Sequence, residues 1–385
     1  MLKNQKNIHL KLNALGHAYN DAYHFIIPLL LPFFRQEFLF TYFQSGLILT
    51  LHVALRSIFS MAFGSLTDRY NHKHLFIAFG FALSSFLLGS VIFINNPYFM
   101  IITLLLMAIG VSTFHPLATA MVGEKAKPNK RGRDLSFFSA AGTLGLTIMS
   151  LMFGWLVQIS GWRMTCLFIS LPGFLLAWGY TQLNNEVPEH DNQPRSLTDR
   201  SIFIIFFTGH GFRNLGTWAI LSFLPTYATD YIGLNPGISA WIVSIFFAGV
   251  LSGSIAISQI LDRKNPIKFV TSATIISALL ILILTYSTMP IIMALLVACI
   301  GLAQGFYFPA HNTWLIKVSS TQTRGKLFGF AIFIEGISAT IAPSLYGWLA
   351  DQFGLVLSYR LASIPIFISF LLYIILYGMQ RLRID

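Results

Sequence analysis

Four ionisable side chains stand inside stretches otherwise too apolar to hold them: Asp21, Arg56, Arg213 and Glu335. A charged group deep in an apolar layer costs about 2.5–3.5 kcal/mol, so each should face a wet cavity or a partner. Other polar residues keep helical step with them. Asn13, His17, Asn20, Asp21 and His24 recur every three or four residues, as do His210, Arg213, Asn214 and Thr217. That spacing gathers them on one helical face. His52 and Arg56 are four apart, and Gln304, Tyr307 and His311 share another face. Counting inward from the helix ends, Arg56 matches Asp21 in depth and Glu335 matches Arg213, so two ion pairs are expected. A carboxylate beside an arginine stays ionised until its pairing changes, which is one route to taking up and releasing a proton. The same pairs would also serve as static braces. His115 precedes Pro116 and could line a solute pathway or bond the carbonyl that a helical proline frees. His311 could line the cavity or sit only at an interface.

The chain that positions these groups has 385 residues, 55% hydrophobic and 10% charged, with mean hydropathy +0.68. A soluble domain carries roughly 25% charged residues, so too few polar groups remain here to cover a water-facing surface. Apolar runs such as 75–94 and 269–286 match the ~20 residues that cross a bilayer core. In lipid the backbone must bond to itself, so such runs should be helices. Helices are expected near 12–35, 44–66, 75–95, 98–122, 135–158, 163–183, 201–229, 237–260, 267–287, 291–316, 326–350 and 357–379. Cys166 and Cys299 sit within apolar runs and read as small packing residues, not a disulfide or metal site. The basic stretch 1–11 is not followed by a short apolar core with a cleavage site, so the first helix is expected to be retained.

The formal charge of +11 need not mean nucleic acid, because cytoplasmic loops of membrane proteins collect Lys and Arg. With the N-terminus inside, outside loops hold only Arg35, Arg163 and Arg360, and Arg56 and Arg213 lie within helices. Twenty of the 25 basic residues then fall in cytoplasmic segments. Both termini are therefore expected in the cytoplasm.

An internal repeat divides the chain. Gly16-His17 recurs as Gly209-His210, Leu31-Pro32 as Leu224-Pro225, Pro116 as Pro309, Arg131-Gly132 as Arg324-Gly325 and Gly154-Trp155 as Gly347-Trp348, all at a shift of 193. Asp68-Arg69 recurs as Asp262-Arg263 at 194. The polar stretch 184–199, with Pro188 and Pro194, is the natural linker. Two six-helix bundles are expected, 1–183 and 200–385, with 184–199 as a cytoplasmic loop between them.

Gly64-Ser-Leu-Thr-Asp68-Arg69, followed by Lys73, resembles the loop signature of the major facilitator superfamily. Its second copy ends in Asp262-Arg263-Lys264 and begins with Ser258 in place of glycine. The resemblance implies a cytoplasmic gate at Gly64, Asp68, Arg69, Asp262 and Arg263, although an ordinary tight loop with solvated charges would look the same. Three further segments resemble the fosmidomycin-resistance-like branch: Gly16-His17-Ala-Tyr-Asn20-Asp21 continuing to Pro32, Phe114-His115-Pro116, and Arg131-Gly-Arg133 continuing to Gly142. Drug antiporters of this kind often carry a Gly-Pro pair in the fifth helix. Here Gly142 to Ser150 keeps the glycines and lacks the proline, while Ala342-Pro343 stands near the matching place in the second half.

The resemblance implies an all-α integral membrane fold of twelve transmembrane helices in two six-helix pseudo-repeats. It also implies secondary active transport by alternating access in a bacterial inner membrane. The direction it favours is proton-coupled efflux, by an antiporter, of a drug-like or anionic compound. The alternative is proton-driven uptake of an organic anion or a siderophore. Cavity candidates are His17, Asn20, His24, His52, His115, His210, Asn214, Gln304, Tyr307 and His311. The expected partners are a small molecule, protons and lipid, with no nucleic acid, no cofactor and a monomeric chain. No Gly-x-x-x-x-Gly-Lys-Ser/Thr loop, Gly-x-Ser-x-Gly elbow or Cys/His run with zinc spacing appears. An enzyme and a metal site are therefore not expected.

Overall fold

A computed structural model describes residues 2–69, 72–125, 131–183, 200–258, 260–261, 264–319 and 324–381. The described residues form helices and no strand. In order these are α1 (Leu2–Phe38), α2 (Tyr42–Arg69), α3 (Lys73–Ser90), α4 (Pro97–Ser112), α5 (Phe114–Lys125), α6 (Arg131–Thr181), α7 (Arg200–Asp230), α8 (Pro236–Ser258), α9 (Pro266–Leu284), α10 (Pro290–Val318), α11 (Arg324–Phe353) and α12 (Leu355–Arg381). Among the described residues, nine helical stretches are long and apolar enough to cross a membrane. α1 and α7 fall outside that set, and they carry the polar stripes around Asp21 and Arg213.

Local chemistry sets several ends. α4 and α9 each begin with an Asn-Pro pair. The Asn96 side chain accepts from the Tyr98 and Phe99 amides, and that of Asn265 accepts from the Ile267 amide. The asparagine satisfies amides that have no helical partner, and proline at the next position has no amide to satisfy. The helix expected at 98–122 is present as one membrane-length stretch, Pro97–Val122, interrupted only at Thr113, because Pro116 has no N–H to bond back to Ser112. The helices expected at 135–158 and 163–183 both lie within Arg131–Thr181 and are separated by Gly161, whose φ of 75° and ψ of 164° are non-helical, a conformation that glycine adopts without a Cβ clash.

The chain forms two compact units, which differ from the expected division at two segments. One comprises Met1–Leu39, Leu51–His190 and Asn235–Ser244; the other comprises Phe40–Thr50, Asp191–Leu234 and Ile245–Asp385. In the first, α6 packs along α1 and α3; in the second, α7 packs along α12 and α11, and α9 along α10. The core of the second unit includes Phe206 stacked on Trp314 at 3.9 Å, with Leu315 and Tyr373 buried beside them. The linker 184–199 lies outside the described residues.

The sequence repeat has a packing counterpart. A Cβ at Gly154 would stand 2.4 Å from the Gly237 carbonyl in the first unit, and one at Gly347 would stand 2.5 Å from the Tyr42 carbonyl in the second. Beside Gly347, Asp351 accepts from the Tyr42 and Phe43 amides at 2.8 Å each, so a carboxylate caps the first turn of α2. Gly378 has nothing within 4 Å of a built Cβ. Gly347→Ala is expected to destabilise the protein by about 1–3 kcal/mol through overpacking. Gly378→Ala should be neutral or slightly stabilising, since alanine suits a helix better. Thermal unfolding in detergent reads both.

At the end of α1, Arg163 grips Glu37 with two parallel bonds of 2.6 and 2.8 Å, and the Trp162 indole donates to the same carboxylate at 3.2 Å. These contacts tie α1 to the bend at Gly161. The hydrogen bonds from Arg163 hold the Glu37 carboxyl below its usual range. A depressed acid contributes stability above its unfolded pKa and loses it as pH falls through the folded value. The pair is partly exposed, so its worth is at most about 1 kcal/mol. Wild type should therefore melt slightly above Glu37→Gln at pH 7, and the two midpoints should converge as pH falls below the carboxylate range.

Candidate functional site

Asp21 lies between two imidazoles. Its Oδ2 is 3.2 Å from Nε2 of His17, one helical turn away on α1, and its Oδ1 is 2.9 Å from Nε2 of His115 on α5. The break at Thr113 precedes the turn that carries His115 to α1. His17 is fixed from its other side: Nδ1 lies 2.7 Å from the Phe138 carbonyl on α6. A carbonyl only accepts, so Nδ1 carries a proton. The ring also stacks on Phe138 at 4.2 Å. If His17 were neutral, its bare Nε2 lone pair would face a carboxylate lone pair. A cation must therefore lie between them, and an Nε2–H proton, making an imidazolium, is the smallest that serves. Gly142 keeps the space open, since a Cβ there would stand 2.6 Å from Asp21 Oδ2 and 2.8 Å from His17 Nε2.

One turn further along α1, His24 stacks on His52 of α2 with centroids 5.5 Å apart. His52 Nδ1 donates to the Leu104 carbonyl at 2.8 Å, which leaves its buried Nε2 without a hydrogen-bond partner among the described residues. The amide nitrogen of Asn20 is buried in the same condition.

The second unit builds a different polar core. Arg213 is wholly buried. Its Nη2 donates to the Gln304 side-chain oxygen, and its guanidinium lies 3.5 Å from the centre of the Tyr307 ring. His210 Nδ1 and the Tyr307 hydroxyl are 2.9 Å apart, and Tyr307 meets the Tyr373 hydroxyl at 2.8 Å. His311 stacks on His210 at 4.3 Å, and Asn214 donates to the His210 carbonyl. Gln304 also borders a pocket with Thr217, Leu221, Phe246, Ser277 and Ile300. Arg213 Nε and Nη1 have no hydrogen-bond partner among the described residues, so guanidinium donors remain for an acceptor.

Two ion pairs were expected from sequence. Asp21 meets His17 and His115, and Arg56 acts electrostatically on His115. Arg213 bonds Gln304 and lies on the Tyr307 ring, and the Glu335 carboxylate acts on it electrostatically. Arg56 and Glu335 are half-buried on α2 and α11. His115 bonds the carboxylate and not a freed carbonyl, and His311 is buried. The gate residues are outside reach: Asp262 and Arg263 fall beyond the described residues, as do the side chains of Asp68 and Arg69, leaving Gly64 on α2. Phe138 was not foreseen, because it acts through its backbone carbonyl, which residue identity does not announce.

Residues 14–209 and 206–381 match the family profile described as Major Facilitator Superfamily. The chain belongs to this superfamily. Among its relatives, the multidrug resistance protein MdtG of Escherichia coli K12 is 24% identical over 326 residues, covering 80% of this chain and 78% of that one. Two solved structures share the fold. One is a bacterial homologue of the human lysosomal transporter Spinster, inward-facing and occupied, with TM-score 0.81, 14% identity and 96% of both chains covered. The other is a point mutant of the nucleoside transporter NupG, with TM-score 0.80, 13% identity, 96% of this chain and all of that one covered. The chain is thus a multi-pass membrane transporter, and its relatives indicate no catalytic activity.

A buried guanidinium without its hydrogen-bonded acceptor is costly. Gln304→Leu should lower stability by about 1.5–3 kcal/mol, the usual range for a hydrogen bond to a charged group. Unfolding in detergent measures it, and an unchanged midpoint would show that the remaining neighbours, Tyr307 and Glu335 among them, satisfy Arg213.

Proposed function

We propose that this chain is a proton-coupled exporter of drug-like or anionic small molecules, of the fosmidomycin-resistance-like branch, working as an antiporter in a bacterial inner membrane. In this reading twelve spans form two six-helix halves: α6 counts as two spans, and α1 and α7 span despite their polar stripes. The halves are joined by a cytoplasmic 184–199 loop, both termini are cytoplasmic, and the chain works as a monomer. The halves alternate access to a central site, with Gly64, Asp68, Arg69, Asp262 and Arg263 as the cytoplasmic gate.

The observation that carries the proton coupling is the bond inventory at Asp21. His17 already donates to the Phe138 carbonyl, so its contact with the carboxylate needs one more positive charge. A proton held there neutralises the cluster, and its departure leaves a buried negative charge that favours a different arrangement of helices. Arg56 from the same unit, and Arg213 with Gln304 in the other, suit an anionic solute. His24, His52, His210, Asn214, Tyr307 and His311 supply further polar lining. Efflux is favoured by the likeness to the multidrug resistance protein MdtG. Uptake of an organic anion or siderophore is the second reading, and the missing proline between Gly142 and Ser150 favours it.

The test is transport in proteoliposomes under an imposed pH gradient, with a panel of labelled drugs and organic anions. Asp21→Asn should cut gradient-driven movement by about tenfold or more, equivalent to ~1.4 kcal/mol on the barrier, while the protein stays monodisperse. Transport at the original rate would remove Asp21 from coupling. Movement indifferent to the gradient would remove the proton.

A further inference from the structure

We propose that His17, Asp21 and His115 also form a binding site for a divalent transition-metal ion of the zinc class. Two imidazole nitrogens and one carboxylate oxygen lie within 4.8 Å of one another. Tetrahedral zinc, with bonds of about 2.0–2.1 Å, places its ligand atoms about 3.3 Å apart. His17 Nε2 already stands 3.2 Å from Asp21 Oδ2, near that value, while His115 Nε2 lies 2.9 Å from the other carboxylate oxygen, Oδ1. Rotation of His115, whose side chain is 38% exposed, brings its nitrogen round to complete the ligand triangle. His17 and Asp21 are four apart on one helix and project from the same face.

The surrounding groups support the ligands. His17 Nδ1 donates to the Phe138 carbonyl, the outer-shell contact that fixes a metal-binding histidine with Nε2 free for the ion. Gly142 leaves room where a Cβ would press on both His17 Nε2 and Asp21 Oδ2. Three protein ligands leave a position for water or for a donor atom of a bound solute. On binding, His17 releases its Nε2 proton to solvent and the His115 proton moves from Nε2 to Nδ1. One carboxylate and two neutral imidazoles then hold the dication. Arg56 acts electrostatically on His115, so moderate affinity is expected.

The site shares its residues with the proposed coupling centre, yet binding needs neither a gradient nor a solute. Tag-free, full-length protein in detergent is titrated with Co2+, read by visible absorption, and with Zn2+, read by calorimetry. One ion per chain with a Kd of ~10 µM or tighter is expected. His17→Gln, Asp21→Asn, His115→Gln and Gly142→Ala should each weaken it tenfold or more, while the His72→Gln/His74→Gln double variant should bind normally. His115 is the most exposed of the three ligands, so His115→Gln decides if the others fail to fold. No binding, or binding that survives His115→Gln, overturns the site. Metal binding without proton-driven transport would sink the transport mechanism alone, and the converse would sink only the metal site.

Discussion

A carboxylate within an apolar helical layer has to find positive charge or hydrogen bonds inside the protein. Asp21 finds them in His17 and His115, and much of the first unit follows from holding those groups in place. The helix break between α4 and α5 sets the turn that brings His115 to the carboxylate. Phe138 on α6 clamps His17 from behind, and Gly142, one turn further on, leaves room for both partners. A proton and a metal ion are alternative ways of meeting the same electrostatic demand.

The second unit answers a related demand with the opposite sign. Arg213 follows His210 by three positions, as Asn20 follows His17, but an arginine cannot give up its charge. Its contacts are a neutral amide oxygen and an aromatic face, with two buried donors left over, and the Glu335 carboxylate acts on it electrostatically. One unit thus holds a buried charge that a proton can neutralise, and the other holds a buried charge that is permanent. The proposed coupling of a proton to an anionic solute would draw on that asymmetry.

Apolarity, the shift of 193 and the Gly64-to-Lys73 segment around Asp68 made the helical membrane architecture and the superfamily legible from sequence. Each is a local or periodic property, and a chain in lipid has few ways to satisfy its backbone. The polar faces of α1, α7 and α10 were readable for the same reason, because a helix converts spacing directly into a common direction.

The partners on those faces were not readable. Depth along a helix placed Arg56 with Asp21 and Glu335 with Arg213, and Arg56 acts on His115 and Glu335 on Arg213, but depth says nothing about rotation or about which atoms bond. His115 is 94 positions from Asp21 in sequence, and Phe138 contributes a backbone atom, so no motif spacing could join them. The sequence by itself determined which residues must be buried and on which faces they lie. Only the tertiary structure decided which buried groups touch, since that depends on helix breaks at Thr113 and Gly161 and on close approaches such as the one over Gly142.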